Sequence, residues 1–136
     1  MRAVLDPDVI ISGLISSKGA PAALLRAWQD GAVELVVSPA LLTELRRALA
    51  YPKLRRRIEP EEATSVMGWV AASALLVDDP PAHMLAARSR DPGDDYLLAL
   101  AAVAEALLVS GDVDLLELSE ELPIHTPRSF VSLLRV

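Results

Sequence analysis

At 136 residues, with no cysteine and a net charge of −6, the chain fits one domain and excludes disulfide staples, zinc–thiolate centres and thiol nucleophiles. Hydrophobic residues make up 52% and aromatic residues 4%, so the core must be built from Leu, Val, Ile and Ala. No targeting segment is read, because Asp6 and Asp8 interrupt the first apolar run, and the stretch 97–110 is broken by Glu105 and too short for a bilayer; a soluble protein in a reducing cytoplasm is expected.

Residues 2–5 are apolar after Arg2 and end at Asp6, which reads as a short buried strand. A helix is expected over Val9–Ile15, stopping at Ser16-Ser17-Lys18-Gly19, and another over Ala22–Gln29 with Pro21 in its first turn and Gly31 as its breaker. Val33–Val37 reads as a second strand. Ser38-Pro39 is an N-cap followed by proline at the first helical position, and Leu41, Leu42, Leu45 and Leu49 form a one-sided stripe up to Pro52, where the helix should end. Glu59-Pro60-Glu61-Glu62 opens a helix to about Ala74, with acids where the dipole favours them. Leu75-Leu76-Val77 is a candidate third strand, halted by Asp78-Asp79-Pro80-Pro81.

Arg90-Asp91-Pro92-Gly93-Asp94 is a turn into a very apolar helix from Asp95 to about Glu105, followed by a buried strand at Ala106–Val109 that ends in Ser110-Gly111-Asp112. A short strand near Ile124 and a helix over 127–134 close the chain. Strands alternating with helices predict one α/β domain over 1–136, a parallel sheet of about four to five strands with helices on both faces. Ligands of such sheets gather beyond the carboxyl ends of central strands, and Asp6 and Asp112 both stand at such ends.

Carboxylates from four segments can therefore meet: Asp6, Glu44, Asp94 and Asp95, and Asp112 with Asp114. Two unit charges ~5 Å apart repel by roughly 3 kcal/mol at an effective dielectric near 20, so such a cluster takes up a proton or a cation. Oxygen donors without Cys or His select a hard ion, Mg²⁺ or Mn²⁺, which suits in-line hydrolysis of a phosphodiester. Each acid also has a plain structural reading. Asp94 and Asp95 can be helix N-caps, Asp112 and Asp114 turn acids capping a short helix, and Glu44 an exposed helical acid; Asp6, ending a buried strand, is the hardest to explain this way. Arg46, Arg47, Lys53, Arg55, Arg56 and Arg57 place six basic residues in twelve positions, either a solvated face or a strip for RNA. His83 and His125 share no metal-ligand spacing, and Trp28 and Trp69 read as core. No P-loop, serine triad or Rossmann glycine pattern occurs.

The segments Val4-Leu5-Asp6-Pro7-Asp8-Val9, Leu35-Val36-Val37-Ser38-Pro39 with Leu42-Thr43-Glu44-Leu45, Arg90–Asp95, Leu108–Leu116 and Thr126–Phe130 together resemble the PIN-domain family, in particular the VapC-like toxin components of bacterial toxin–antitoxin pairs. The resemblance covers nearly the whole chain. It implies a sandwich of helices around a parallel sheet, Mg²⁺- or Mn²⁺-dependent cleavage of single-stranded RNA, a homodimer, and a separately encoded antitoxin. By position, Asp6, Glu44, Asp95 and Asp112 match the family's acidic quartet, with Asp114 as an accessory acid. One departure stands out: the family usually has Asp-Thr-Asn after its first strand, whereas this chain has Asp6-Pro7-Asp8, which removes a hydroxyl and a backbone donor and adds a charge. Two other functions stay open at this stage. One is a PIN fold that only binds RNA or a partner through its basic strip; the other is a haloacid dehalogenase-type phosphatase using Asp6-Pro7-Asp8.

Overall fold

The computed structural model describes residues 1–81 and 90–135; His83 lies outside them. In chain order the elements are β1 (Arg2–Leu5), α1 (Pro7–Ile15), α2 (Ala20–Gln29), β2 (Glu34–Val37), α3 (Pro39–Leu49), α4 (Pro52–Arg55), α5 (Pro60–Ser73) and β3 (Leu75–Leu76). A 3-10 turn at Pro92–Asp94 then leads into α6 (Asp95–Ala104), β4 (Leu107–Val109), α7 (Val113–Leu116), β5 (Ile124–His125) and α8 (Pro127–Leu134). The five strands form one sheet in the order β3-β2-β1-β4-β5, and every pairing is parallel.

Connections after β1 and β2 carry the chain one way across the sheet, and those after β3 and β4 carry it back. Because such crossovers are right-handed, helices cover both faces, as the alternation of elements predicts. The core is aliphatic: Val4, Leu5, Leu35, Val36, Leu108 and Val109 of the central strands are buried with Leu41, Leu45, Leu97, Leu100 and Phe130. Trp28 of α2 and Trp69 of α5 meet at 4.1 Å between ring centroids, tilted by 31°. His125 approaches Ser129 Oγ at 3.2 Å through Nδ1 and presents its ring to the edge of Phe130.

Local differences from the sequence expectation have simple causes. Pro52 does not merely end a helix; α3 stops at Leu49 and Pro52 occupies the first turn of α4, where its fixed φ and missing donor cost nothing. Similarly, α1 begins at Pro7 rather than Val9. β4 starts at Leu107 because α6 is closed by Glu105 in the left-handed region (φ 52°), which lets the Ala106 amide donate to Ala101 O at 2.9 Å. Among the described residues no single helix is long and apolar enough to cross a membrane.

Candidate functional site

The strand order reverses between β1 and β4, so the switch point of the sheet lies at their carboxyl ends. The register Leu5↔Val109 puts the two ends level. Asp6 follows one strand and Ser110-Gly111-Asp112 the other. Asp6 is only 7% exposed and caps α1: its Oδ1 accepts from the Asp8 amide at 3.1 Å, while its Oδ2 accepts from the Ser110 hydroxyl at 2.8 Å. The bond to Asp8 also answers the Asp6-Pro7-Asp8 departure, since the capping donor comes from the residue after the proline. Burial, foremost, pushes the Asp6 carboxyl above its ordinary value, aided by the charges of Asp8 and Asp112 and opposed by those two hydrogen bonds.

Ser110, fully buried, couples the strand ends. Its Oγ donates to Asp6 and accepts from the Asp112 amide at 3.0 Å. Asp112 in turn caps α7, its Oδ1 accepting from the Asp114 amide at 2.8 Å. Asp112 is thus both a helix cap and a member of the acidic group, and the two readings of it do not compete.

Next to Asp95 at the start of α6, Asp94 lies against Asp112. Its carboxyl is pushed up to about 7, first by burial, then by a hydrogen bond shared with the Asp112 carboxyl and by the charges of Asp112, Asp6 and Asp91. Crowding by neighbouring carboxylates disfavours the charged form of Asp94. Asp94 Oδ2 is nevertheless buried without a hydrogen-bond partner, an exception among native polar groups. Asp95, the position matched by resemblance, is itself buried at 7% exposure in the first turn of α6.

Glu44 stands apart. It is half-exposed on α3 and accepts from Arg47 Nη1 at 2.8 Å. Its charge still reaches Tyr96, whose hydroxyl is pushed up by burial and then by the charges of Asp6, Glu44, Asp94 and Asp79. Tyr96 therefore lies within the field of the whole acidic end. Neither Tyr96 nor Ser110 is singled out by the sequence; the signal for Ser110 is its place in Ser-Gly-Asp directly after a strand. Asp114 is held through its backbone to Asp112, and Arg46 and Arg55 line a separate groove between α3, α4 and α5 together with Leu49, Ala63 and Met67.

Oxygen donors, crowded carboxylates and an orphaned buried carboxylate oxygen fit a hard divalent cation. The donors are neighbours rather than a finished clasp: among the described residues no three or more His, Asp or Glu side chains are already drawn together closely enough to hold an ion.

Comparison with known proteins identifies the family and the fold. A family model described as PIN domain matches residues 2–114. An uncharacterized protein of Methanocaldococcus jannaschii, MJ1680, is 26% identical over 141 residues, covering 96% of this chain and 90% of that protein. Among crystal structures, PAE2754 from Pyrobaculum aerophilum superimposes with a TM-score of 0.68 at 15% identity, covering 99% of this chain and 90% of that one. VapBC2 from Rickettsia felis bound to a DNA fragment from their promoter gives 0.62 at 12% identity, and FitAcB from Neisseria gonorrhoeae 0.58 at 18%, each covering 93% of this chain and 98% of the other. The fold is thus that of VapC-like PIN domains. Since the family match runs unbroken from β1 into α7 and takes in both strand-end acids, the chain belongs to the PIN-domain family, whose members are generally nucleases.

Proposed function

We propose that this protein, acting as one domain over 1–136, is a metal-dependent endoribonuclease that hydrolyses phosphodiester bonds in single-stranded RNA. The observation that carries the reading is the Asp94–Asp112 pair beside buried Asp6 at the sheet's switch point, with Asp94 Oδ2 left without a partner. Asp6, Asp94 and Asp112 would hold Mg²⁺ or Mn²⁺, with Glu44, Asp95 and Asp114 at the margin. When bound, the ion supplies charge neutralisation at phosphorus and makes an attacking water more acidic.

The chain's own residues do the rest. Ser110 and the Asp8 amide fix both oxygens of Asp6 while leaving each a free lone pair. Burial and the neighbouring acids raise the proton affinity of Asp94, so a cation and a proton would compete for its oxygens. Arg46, Arg47, Lys53, Arg55, Arg56 and Arg57 offer a basic strip for the strand. Kinship to VapC-like folds supports assignment as the toxin of a toxin–antitoxin pair, a homodimer working in the cytoplasm and restrained by a separately encoded antitoxin. Membership of the PIN-domain family leaves the dehalogenase-type phosphatase without support.

The test is calorimetric titration of Mn²⁺ into metal-free protein beside an Asp6→Asn, Asp112→Asn double variant, followed by cleavage of a labelled single-stranded RNA. Binding and cleavage present in the wild type and absent in the variant are expected. A wild type that binds no Mn²⁺ and leaves RNA intact would hand the fold to the RNA- or partner-binding reading.

A further inference from the structure

Away from the acidic end, the fold gathers three arginines that the sequence scatters. A concave pocket of about 350 Å³ lies between α2 and α8, lined by Arg26, Arg128 and Arg135 together with Ser132, Val131 and the small residues around Gly19. Arg26 donates to Ser17 O at 3.2 Å. Among the described residues no carboxylate pairs with any of the three, although this chain carries six more negative than positive charges. Three guanidinium groups lining one hollow in an acidic protein, without a carboxylate partner among the described residues, repel one another and make that hollow attractive to an anion. Gly19 (φ 98°) contributes no side chain there, and no side chain caps the start of α2.

We propose that Arg26, Arg128 and Arg135 form a phosphate-binding subsite that holds the backbone of the RNA strand beside the acidic site. This rests on RNA being the substrate. The planar fork of arginine matches phosphate oxygens two at a time. The lining favours nucleic acid over a protein helix, because a helix in a groove needs several large apolar anchors and, among the described residues, Val131 is the only large apolar side chain in it. The position suits a strand that continues to the site. β5 pairs with β4 at Val109↔His125, Asp112 lies three residues beyond the first of these and Arg128 three beyond the second. Arg135 follows two turns further along α8, ~10 Å away along the axis, so Arg128 and Arg135 lead along α8 away from the level of the strand ends.

The experiment measures anisotropy of a fluorescein-labelled single-stranded RNA on the Asp112→Asn protein, with and without Arg26→Ala, Arg128→Ala and Arg135→Ala together. All three side chains are exposed, so the variant is expected to fold, which circular dichroism checks; an all-Lys version keeps the charge if it does not. Roughly tenfold or weaker binding is expected, with a salt dependence shallower by about 0.7 for each phosphate no longer neutralised. Unchanged affinity and slope would overturn the subsite. So would inorganic phosphate or polyglutamate binding that the alanines abolish while RNA affinity stays put, because the pocket then serves a free anion or an acidic protein segment. RNA bound through the arginines but not cut by the wild type spares the subsite and sinks the nuclease. RNA cut equally well by wild-type protein with and without the alanines does the reverse.

Discussion

The carboxylates that end strands and those carried on helices behave differently in this protein. Asp6 and Asp112 stand at the level ends of two paired strands, and both are tied down by short hydrogen bonds that pass through Ser110. Glu44 and Asp94 sit on α3 and just ahead of α6, both partly exposed, and their surroundings vary: one pairs with Arg47, the other has one buried oxygen without a partner. A strand end in a parallel sheet has one location and one direction. A helix start offers neighbouring residues about 100° apart around the axis, so Asp94 and Asp95 leave the start of α6 in different directions.

That difference is sharpest between Asp94 and Asp95, and the largest effect follows from it. Asp94→Asn removes the charge that pairs with Asp112 and supplies the orphaned oxygen, so Mn²⁺ binding and RNA cleavage should fall by about two orders of magnitude, the usual scale for losing a catalytic electrostatic group. Asp95→Asn should leave Mn²⁺ affinity within a few-fold and cost folding stability instead, on the order of 1–3 kcal/mol for a disturbed buried polar group. Calorimetric titration and thermal unfolding of both variants read the contrast. Equal loss of Mn²⁺ binding in the two, or loss in Asp95→Asn alone, would return the place to the acid matched by resemblance.

A smaller effect tests the strand-borne half. Ser110→Ala deletes the hydroxyl that donates to Asp6 and accepts from the Asp112 amide, without touching any carboxylate. Two buried groups lose a partner, so stability should fall by roughly 1–3 kcal/mol. Metal affinity should fall by about tenfold, the lower range for groups that orient a ligand rather than bind the ion. Threonine at this position keeps the hydroxyl and should recover most of the metal affinity. If Ser110→Ala binds Mn²⁺ like the wild type, the hydroxyl is only a structural filler.

Much of this is legible in the sequence. Apolar runs ending at Asp6 and Asp112 announce strands by composition and acids by position, and the alternation of elements implies a parallel sheet with helices on both faces. The direction in which Asp94 and Asp95 leave the start of α6 is not legible there, because the 3-10 turn at Pro92–Asp94 sets the phase at which α6 begins, with Asp91 capping the turn through the Gly93 amide at 2.9 Å. Residue spacing alone cannot supply it. The role of Ser110 is hidden for a different reason: a serine after a strand is common, and only the pairing of β1 with β4 brings it within reach of Asp6. The arginine pocket is invisible in the sequence because its members come from α2 and both ends of α8.

The smallest effect concerns pH and the metal-free protein. The Asp94 carboxyl rises from 3.8 to about 7 in the fold, and Asp6 moves in the same direction. Below pH ~4 both folded and unfolded chains hold these protons, so the groups have no pH-dependent effect there. Between ~4 and ~7 the unfolded chain has lost its proton while the folded Asp94 carboxyl keeps it. The folded state then binds more protons, and stability must decline as pH rises through this window, levelling off above it. Thermal midpoints in chelator should therefore drop by a few degrees from acid to neutral pH, and Asp94→Asn should shrink that drop, with Asp6 accounting for what is left. Saturating Mn²⁺ should reverse the trend at the upper end, since the ion takes the place of the proton and binds harder as the proton leaves. A metal-free midpoint that climbs towards pH 7, or falls identically in Asp94→Asn, would show that the helix-borne carboxyl is not crowded against the strand-borne one in solution.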